Sequence, residues 1–178
     1  MVGDAGFGVN ISSGFEKVLQ KFSTLRNPDI GMILRTAGQV FTFDIGSTIG
    51  GFIGRAFQAA GIRMQEKTQL TAQDLVQILQ TMLATIEEIG GAKVGDKTLI
   101  DALEPAVGAA KSALDSGITS TPDILARAAS TAENGAKHTE GVIAKMGRGS
   151  YLGERSRGSI DPGAMFISIF LQALRKPE

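Results

Sequence analysis

The stretch TAQDLVQILQTMLATIEEIGG places Leu75, Ile78, Leu79, Met82, Leu83, Ile86 and Ile89 at the three- and four-residue intervals of a single helix face. Thr71 with Asp74 predicts a capped start, and Gly90 with Gly91 a stop. A helix with one apolar stripe has to lay it on other helices or on a sheet. No window of the chain alternates with period two over a convincing length, so the expected fold class is all-α. The remaining segments agree. A helix after Asn10 is expected to bury Phe15, Val18, Leu19 and Phe22, another begins at Asn27-Pro28, and Gly50 to Ile62 follows the break DIGSTIG. DKTLIDALEPAVGAAKSALDSG has a small-residue face and must accept Pro105 near its first turns or as a kink. TPDILARAASTAENGAKHTEGVIAKM opens with Thr121 as N-cap and Pro122 at the first helical position, and the last helix runs from Pro162 to Leu174. About seven helices with no internal repeat are expected to form one domain over residues 1–178.

Charge narrows the function classes. Eighteen basic and eighteen acidic residues give a net charge of zero, which argues against a general electrostatic grip on nucleic acid or on an anionic membrane. With no cysteine, disulfides and thiolate metal sites are excluded. The most apolar stretch, Ile30 to Phe57, is interrupted by Arg35, Asp44 and Arg55, so it reads as core rather than membrane span. No basic n-region with a following apolar segment opens the chain, and a cytoplasmic location is expected.

Four places break the helical pattern: VGDAGFGVN, DIGSTIGG, GGAKVGDKT and GRGSYLGERSRGSIDPGA. Each is glycine-rich and lies at a helix end, where glycine permits positive φ or close approach of backbone to a ligand. A single such loop is ordinary turn chemistry. Four of them, supplying Asp4, Asp96, Lys97, Arg148, Arg155 and Asp161, suggest an anion site gathered at one end of the bundle. His138, the only histidine, lies away from these loops and reads as a structural or solvent-facing residue. Tyr151, the only tyrosine, is expected to pack against its own loop.

VGDAGFGVN, GDKTLIDAL and above all GRGSYLGERSRGSIDPGA resemble, in matching order, the nucleotide-binding L subunit of dihydroxyacetone kinase, a unit also found as the C-terminal domain of single-chain kinases. The resemblance implies an antiparallel eight-helix barrel holding ADP or ATP and two magnesium ions at one end. It implies nucleotide contacts at Gly8 and Asn10, phosphate-loop positions at Thr48 and Ile49, and adenine-side positions at Gly90 and Leu99. It further implies a lid over the nucleotide that carries Arg148, Asp161 and Gly163, and a metal ligand at Asp4. No catalytic nucleophile is implied in this chain.

The sequence departs from the family pattern at three places. The family carries alternate aspartates in its acidic loop and an earlier aspartate at the end of a preceding helix. Here Gly6 stands at the second loop aspartate and Phe7 at a common histidine, and Met1 falls inside the loop, so that helix and its aspartate are expected to be missing. Ile49 stands where the family has a phosphate-side serine, with Thr48 beside it as an alternative hydroxyl. The family reaction passes a phosphoryl group to dihydroxyacetone held by a K subunit. One branch consumes ATP, and the other recharges bound ADP from a phosphohistidine-carrying M subunit. Two expectations follow: a phosphotransferase L subunit, or a noncatalytic relative that keeps the barrel and lid as a binding or regulatory module. The nucleotide domain of fatty-acid kinases shares the acidic loop but leaves SYLGERSRGSIDPGA unexplained. Loss of a first helix would bare apolar residues on the helix after Asn10 and on the last helix, from which self-association or a covering partner is expected.

Overall fold

The computed structural model describes residues 6–45 and 47–175, among which there are seven α-helices and no strand. They fall into two compact units, one of Gly6–Gly91 and one formed by the chain from Ala92 onward.

In the first unit α1 spans Phe7–Phe22, α2 Ile30–Gln39, α3 Thr48–Arg63 and α4 Ala72–Gly90, with α2 running into a π-helical turn at Val40–Asp44. Asp29 caps α2 and also accepts the N–H of Glu66 at 2.8 Å, which ties the start of α2 to the segment after α3. The α2–α3 pair packs on glycine. Gly31 and Gly38 lie seven apart on α2, Gly54 and Gly61 seven apart on α3, and the pairs meet antiparallel. A β-carbon on Gly31 would sit 2.7 Å from the Gly61 carbonyl oxygen, and one on Gly38 would sit 2.6 Å from that of Gly54. Only bare backbone fits at that separation. Phe41, fully buried, fills the space beyond the glycines, edge-on to Phe15 at 5.1 Å and stacked on Phe57 at 6.2 Å. α4 begins with a complete capping box between Thr71 and Asp74. Asp74 also takes an ion pair from Lys67 at 2.7 Å, and the lysine contact together with the Thr71 N–H holds its carboxyl down at about 2.

The second unit holds α5 (Ile100–Asp115), α6 (Thr121–His138) and α7 (Pro162–Arg175), with 3₁₀ turns at Thr139–Gly141 and Arg148–Ser156. Its core is built of small side chains. Ala102, Ala106, Ala110 and Ala113 of α5 and Ala128, Ala132 and Ala136 of α6 are buried, and α7 contributes Ala164, Ile167 and Leu171. Pro105 is the sixth residue of α5 and lacks the N–H that would bond the carbonyl of Asp101. That carbonyl lies directly against Gly135 of α6, where a β-carbon would overlap it.

Several boundaries and burials differ from the sequence expectation. α1 starts at Phe7, ahead of Asn10, and α3 starts at Thr48 because Ser47 caps it, accepting the N–H of Gly50 at 3.1 Å. Ser120 rather than Thr121 is the N-cap of α6, so Pro122 is the second helical residue, and α6 stops at His138 instead of continuing to Met146. Leu19, expected in the buried stripe of α1, is exposed, and with Ile169 and Leu174 exposed on α7 it is among the apolar residues bared on these two helices, where such exposure was expected.

Candidate functional site

In the first unit, the α1 start and the α3–α4 ends carry the residues expected at a nucleotide. Gly8 is exposed on the first turn of α1, and Asn10 is half-buried there with its N–H bonded to the Gly6 carbonyl at 2.8 Å. Gly6 contributes no side-chain cap to this helix. Asp4 lies outside the described residues. Thr48 and Ile49 are the first two residues of α3, with Thr48 exposed and Ile49 half-buried. Gly90 closes α4 at the same end of the α3–α4 pair, since a β-carbon there would touch the Phe52 ring 3.5 Å away, one turn along α3 from Thr48. Ser47 was not anticipated. Its position two residues ahead of Ile49 in S-T-I-G is an N-cap signature that could have revealed it.

The second unit brings the GDKT loop, the lid and the start of α7 together. Asp101, buried, accepts the N–H of Gly95 at 2.7 Å and of Thr98 at 2.8 Å, which bends the loop back on the start of α5. Between them Lys97 takes a left-handed backbone conformation, φ 62°, uncommon for a residue other than glycine. Leu99 is buried beside Gly163, whose β-carbon position lies 3.1 Å from that of Leu99 and 3.0 Å from a carboxylate oxygen of Asp161. Three of the expected nucleotide residues therefore adjoin one another. Arg148, exposed, opens the Arg148–Ser156 3₁₀ segment directly after Gly147, which has φ 65°.

Lys97 corrects the sequence expectation. Read as a cation for an anionic ligand, it is only 2% exposed, and its ammonium donates to the carbonyls of Thr139, Ser156 and Ser159 at 2.7 Å and of Val142 at 3.0 Å. An ammonium with three protons already facing four acceptors has none left for phosphate. Tyr151 is corrected as well. It is 88% exposed and so does not pack against its loop; two residues on, Gly153 breaks the 3₁₀ segment with φ 53° and ψ −128°. His138 ends α6 exposed to solvent. Among the described residues no three histidine, aspartate or glutamate side chains gather to hold a metal ion. None of the helices is long and apolar enough to cross a membrane.

Asp161 caps α7, accepting the N–H of Ala164 at 2.8 Å and that of Gly163. Burial nevertheless dominates and pushes its carboxyl up to about 6, with the nearby charge of Asp101 adding to the effect. Because the folded value lies above the unfolded value of 3.8, the native state holds an extra proton between those values. This group's contribution to stability is therefore full below pH 4 and lost as pH rises through 6. The loss amounts to about 2 kcal/mol after allowance for partial solvent exposure. Asp161→Asn keeps the cap and removes the buried charge. Urea unfolding should show this variant more stable than the parent above pH 6 and equal to it at pH 4, and a difference that does not change with pH would contradict the assignment.

The DAK2 domain profile matches residues 1–176 of this chain. The ADP-binding subunit DhaL of the PEP-dependent dihydroxyacetone kinase of Escherichia coli is 35% identical over 173 residues, covering 97% of this chain and 82% of that protein. The ADP-binding subunit DhaL of PEP-dependent dihydroxyacetone kinase 2 of Listeria innocua is 31% identical, covering 98% and 83% respectively. Among solved structures, the dihydroxyacetone kinase of C. freundii in complex with AMP-PNP and Mg²⁺ superposes with a TM-score of 0.73 at 27% identity. That match covers 99% of this chain, which spans 29% of the length of that kinase chain.

Proposed function

The chain belongs to the DAK2 domain family and is a phosphotransferase subunit, and on that premise we propose that it is the nucleotide-binding L subunit of a dihydroxyacetone kinase. The observation that carries the proposal is the adjoining set Leu99, Asp161 and Gly163, held by a loop and a lid segment that share hydrogen bonds. Leu99 and Gly163, buried against each other, stand at the positions that the resemblance gives to the adenine side and the lid, while the exposed guanidinium of Arg148 suits phosphate by charge and by its paired N–H groups. Thr48 at the α3 N-terminus supplies a hydroxyl where the helix dipole favours an anion. Residues 1–178 act on this reading as one L-type domain. Mg²⁺ would be held by Asp4, the nucleotide's phosphate oxygens and water, and it would neutralise charge on the transferred group. The residues of this chain bind and orient. Dihydroxyacetone is held by a K partner, and an M subunit carrying phosphohistidine recharges ADP if the donor is the phosphoenolpyruvate system. The names of the E. coli and Listeria relatives favour that donor. Gly6 and Ile49, at positions where the family places polar ligands, favour a second reading as a noncatalytic nucleotide-binding or regulatory module.

Calorimetry tests the proposal. Mg-ADP is expected to bind the unmodified chain, and Gly6→Asp, which restores a carboxylate beside Asp4, is expected to tighten binding about tenfold, the scale of one charge-assisted contact. No heat from Mg-ADP or Mg-ATP at millimolar concentration would overturn the nucleotide assignment.

A further inference from the structure

The lid segment of the second unit is joined at its base. On the incoming side, Thr139, Glu140 and Ala144 face Ser156, Gly158 and Asp161 on the outgoing side. The Ala144 N–H bonds the Ser156 hydroxyl at 2.9 Å, the Gly158 N–H bonds the Glu140 carbonyl at 2.8 Å, and the Asp161 N–H bonds the Thr139 hydroxyl at 2.9 Å. Lys97 inserts into this base from the GDKT loop. Its four carbonyl partners are split evenly, Thr139 and Val142 from the incoming side and Ser156 and Ser159 from the outgoing side. These carbonyls are oriented toward one cation, as oxygen ligands are around a metal ion. Asp161, Glu140 and Asp101 face the same charge, and they oppose the effect of burial, which lowers the lysine pKa. The left-handed backbone of Lys97 persists because Asp101 fixes Gly95 and Thr98 on either side of it.

We propose that Lys97 is the positioning residue of the nucleotide lid: its buried ammonium clamps both ends of the lid onto the loop that leads to Leu99, so that Arg148, which opens the lid's 3₁₀ segment, is held in place for the nucleotide's phosphates. The clamp itself rests on geometry alone, while its consequence for ligand rests on the nucleotide reading given above. Without the ammonium, four carbonyls converge on an empty space. They repel one another, and the 143–155 segment opens locally while the α5–α6–α7 packing remains.

The ammonium should then be separable from the chain. Lys97→Ala removes the side chain beyond Cβ, and n-propylammonium has the size and charge of the deleted part. The sole tyrosine, Tyr151, and the tryptic sites Arg148, Arg155 and Arg157 all lie in or beside the lid, and the chain has no tryptophan, so the lid can be followed without labels. In the absence of nucleotide, Lys97→Ala is expected to be cut by trypsin within the lid at least tenfold faster than the parent and to show lower Tyr151 anisotropy. Millimolar n-propylammonium should restore both, whereas tetramethylammonium, which has the charge but no N–H, should not. In calorimetry the Mg-ADP Kd of Lys97→Ala should rise about tenfold or more and recover over the same n-propylammonium range. Equal tryptic rates for variant and parent would overturn the clamp. So would a variant that is unfolded and stays unfolded when refolded with n-propylammonium. A lid that loosens with no change in Kd would overturn the positioning role. A parent that binds no Mg-ADP would instead overturn the functional reading, and the clamp would still stand or fall on the tryptic and Tyr151 results.

Discussion

Gly54→Ala and Gly135→Ala are each expected to destabilise the protein by about 2–3 kcal/mol, while Gly51→Ala in α3 and Gly108→Ala in α5 are expected to stabilise it by about 0.5–1 kcal/mol. All four glycines lie within α3, α5 or α6, so helix propensity alone gives one sign for all of them. What differs is the neighbour. A β-carbon on Gly54 would lie 2.7 Å from the Gly38 carbonyl oxygen and 2.6 Å from the Thr42 amide, and one on Gly135 would overlap the Asp101 carbonyl and sit 3.0 Å from the Ala102 α-carbon. These are backbone atoms, which cannot rotate away, so two helices have to separate. At Gly51 and Gly108 nothing lies within 4 Å. Urea midpoints of the four variants check this, and a Gly54→Ala protein as stable as Gly51→Ala would show that α2 and α3 are not in glycine contact.

The two close helix contacts mark what could be read in advance and what could not. α4 was legible to its ends because the signal at each end is local: Thr71 and Asp74 cap each other three residues apart at its start, and Gly91 adopts φ 66° as its C-cap. The α2–α3 contact left a trace in the sequence as two glycine pairs seven apart, a spacing of about two helical turns that puts each pair on one face. The end of α6 left none. The carbonyls of Thr139 and Val142, which a longer helix would have bonded internally, are taken by Lys97, 42 and 45 residues earlier. A long-range contact of this kind overrides local helical pattern. The same contact explains why Lys97 reads in sequence as a ligand for phosphate and serves in the structure as an internal cation. At the candidate site the glycines and Asp161 were legible as loop punctuation and motif. The capping roles of Ser47 and Asp161 depend on which of several polar residues the backbone turns toward the helix.

Arg148 carries the largest functional expectation. Phosphoryl transfer gains most from fixed positive charge near the transferring group, and removal of one such group costs on the order of 10²–10³ in rate. Gly147, in a left-handed conformation, sets Arg148 at the start of the Arg148–Ser156 3₁₀ segment, on the lid whose base is bonded across Thr139, Ala144, Ser156 and Asp161. On this reading Arg148→Ala leaves the fold and much of the base-binding surface intact and lowers turnover by about 10²-fold, more than it weakens Mg-ADP binding. The decisive measurement is formation of dihydroxyacetone phosphate by the purified chain mixed with a dihydroxyacetone-loaded K subunit and Mg²⁺, supplied either with ATP or with ADP and a phosphohistidine donor. The account predicts product that requires both subunits, appears with one of the two donors and falls about 10²-fold with Arg148→Ala. A chain that binds Mg-ADP yet yields no product above the K subunit alone with either donor would contradict it and establish the noncatalytic reading.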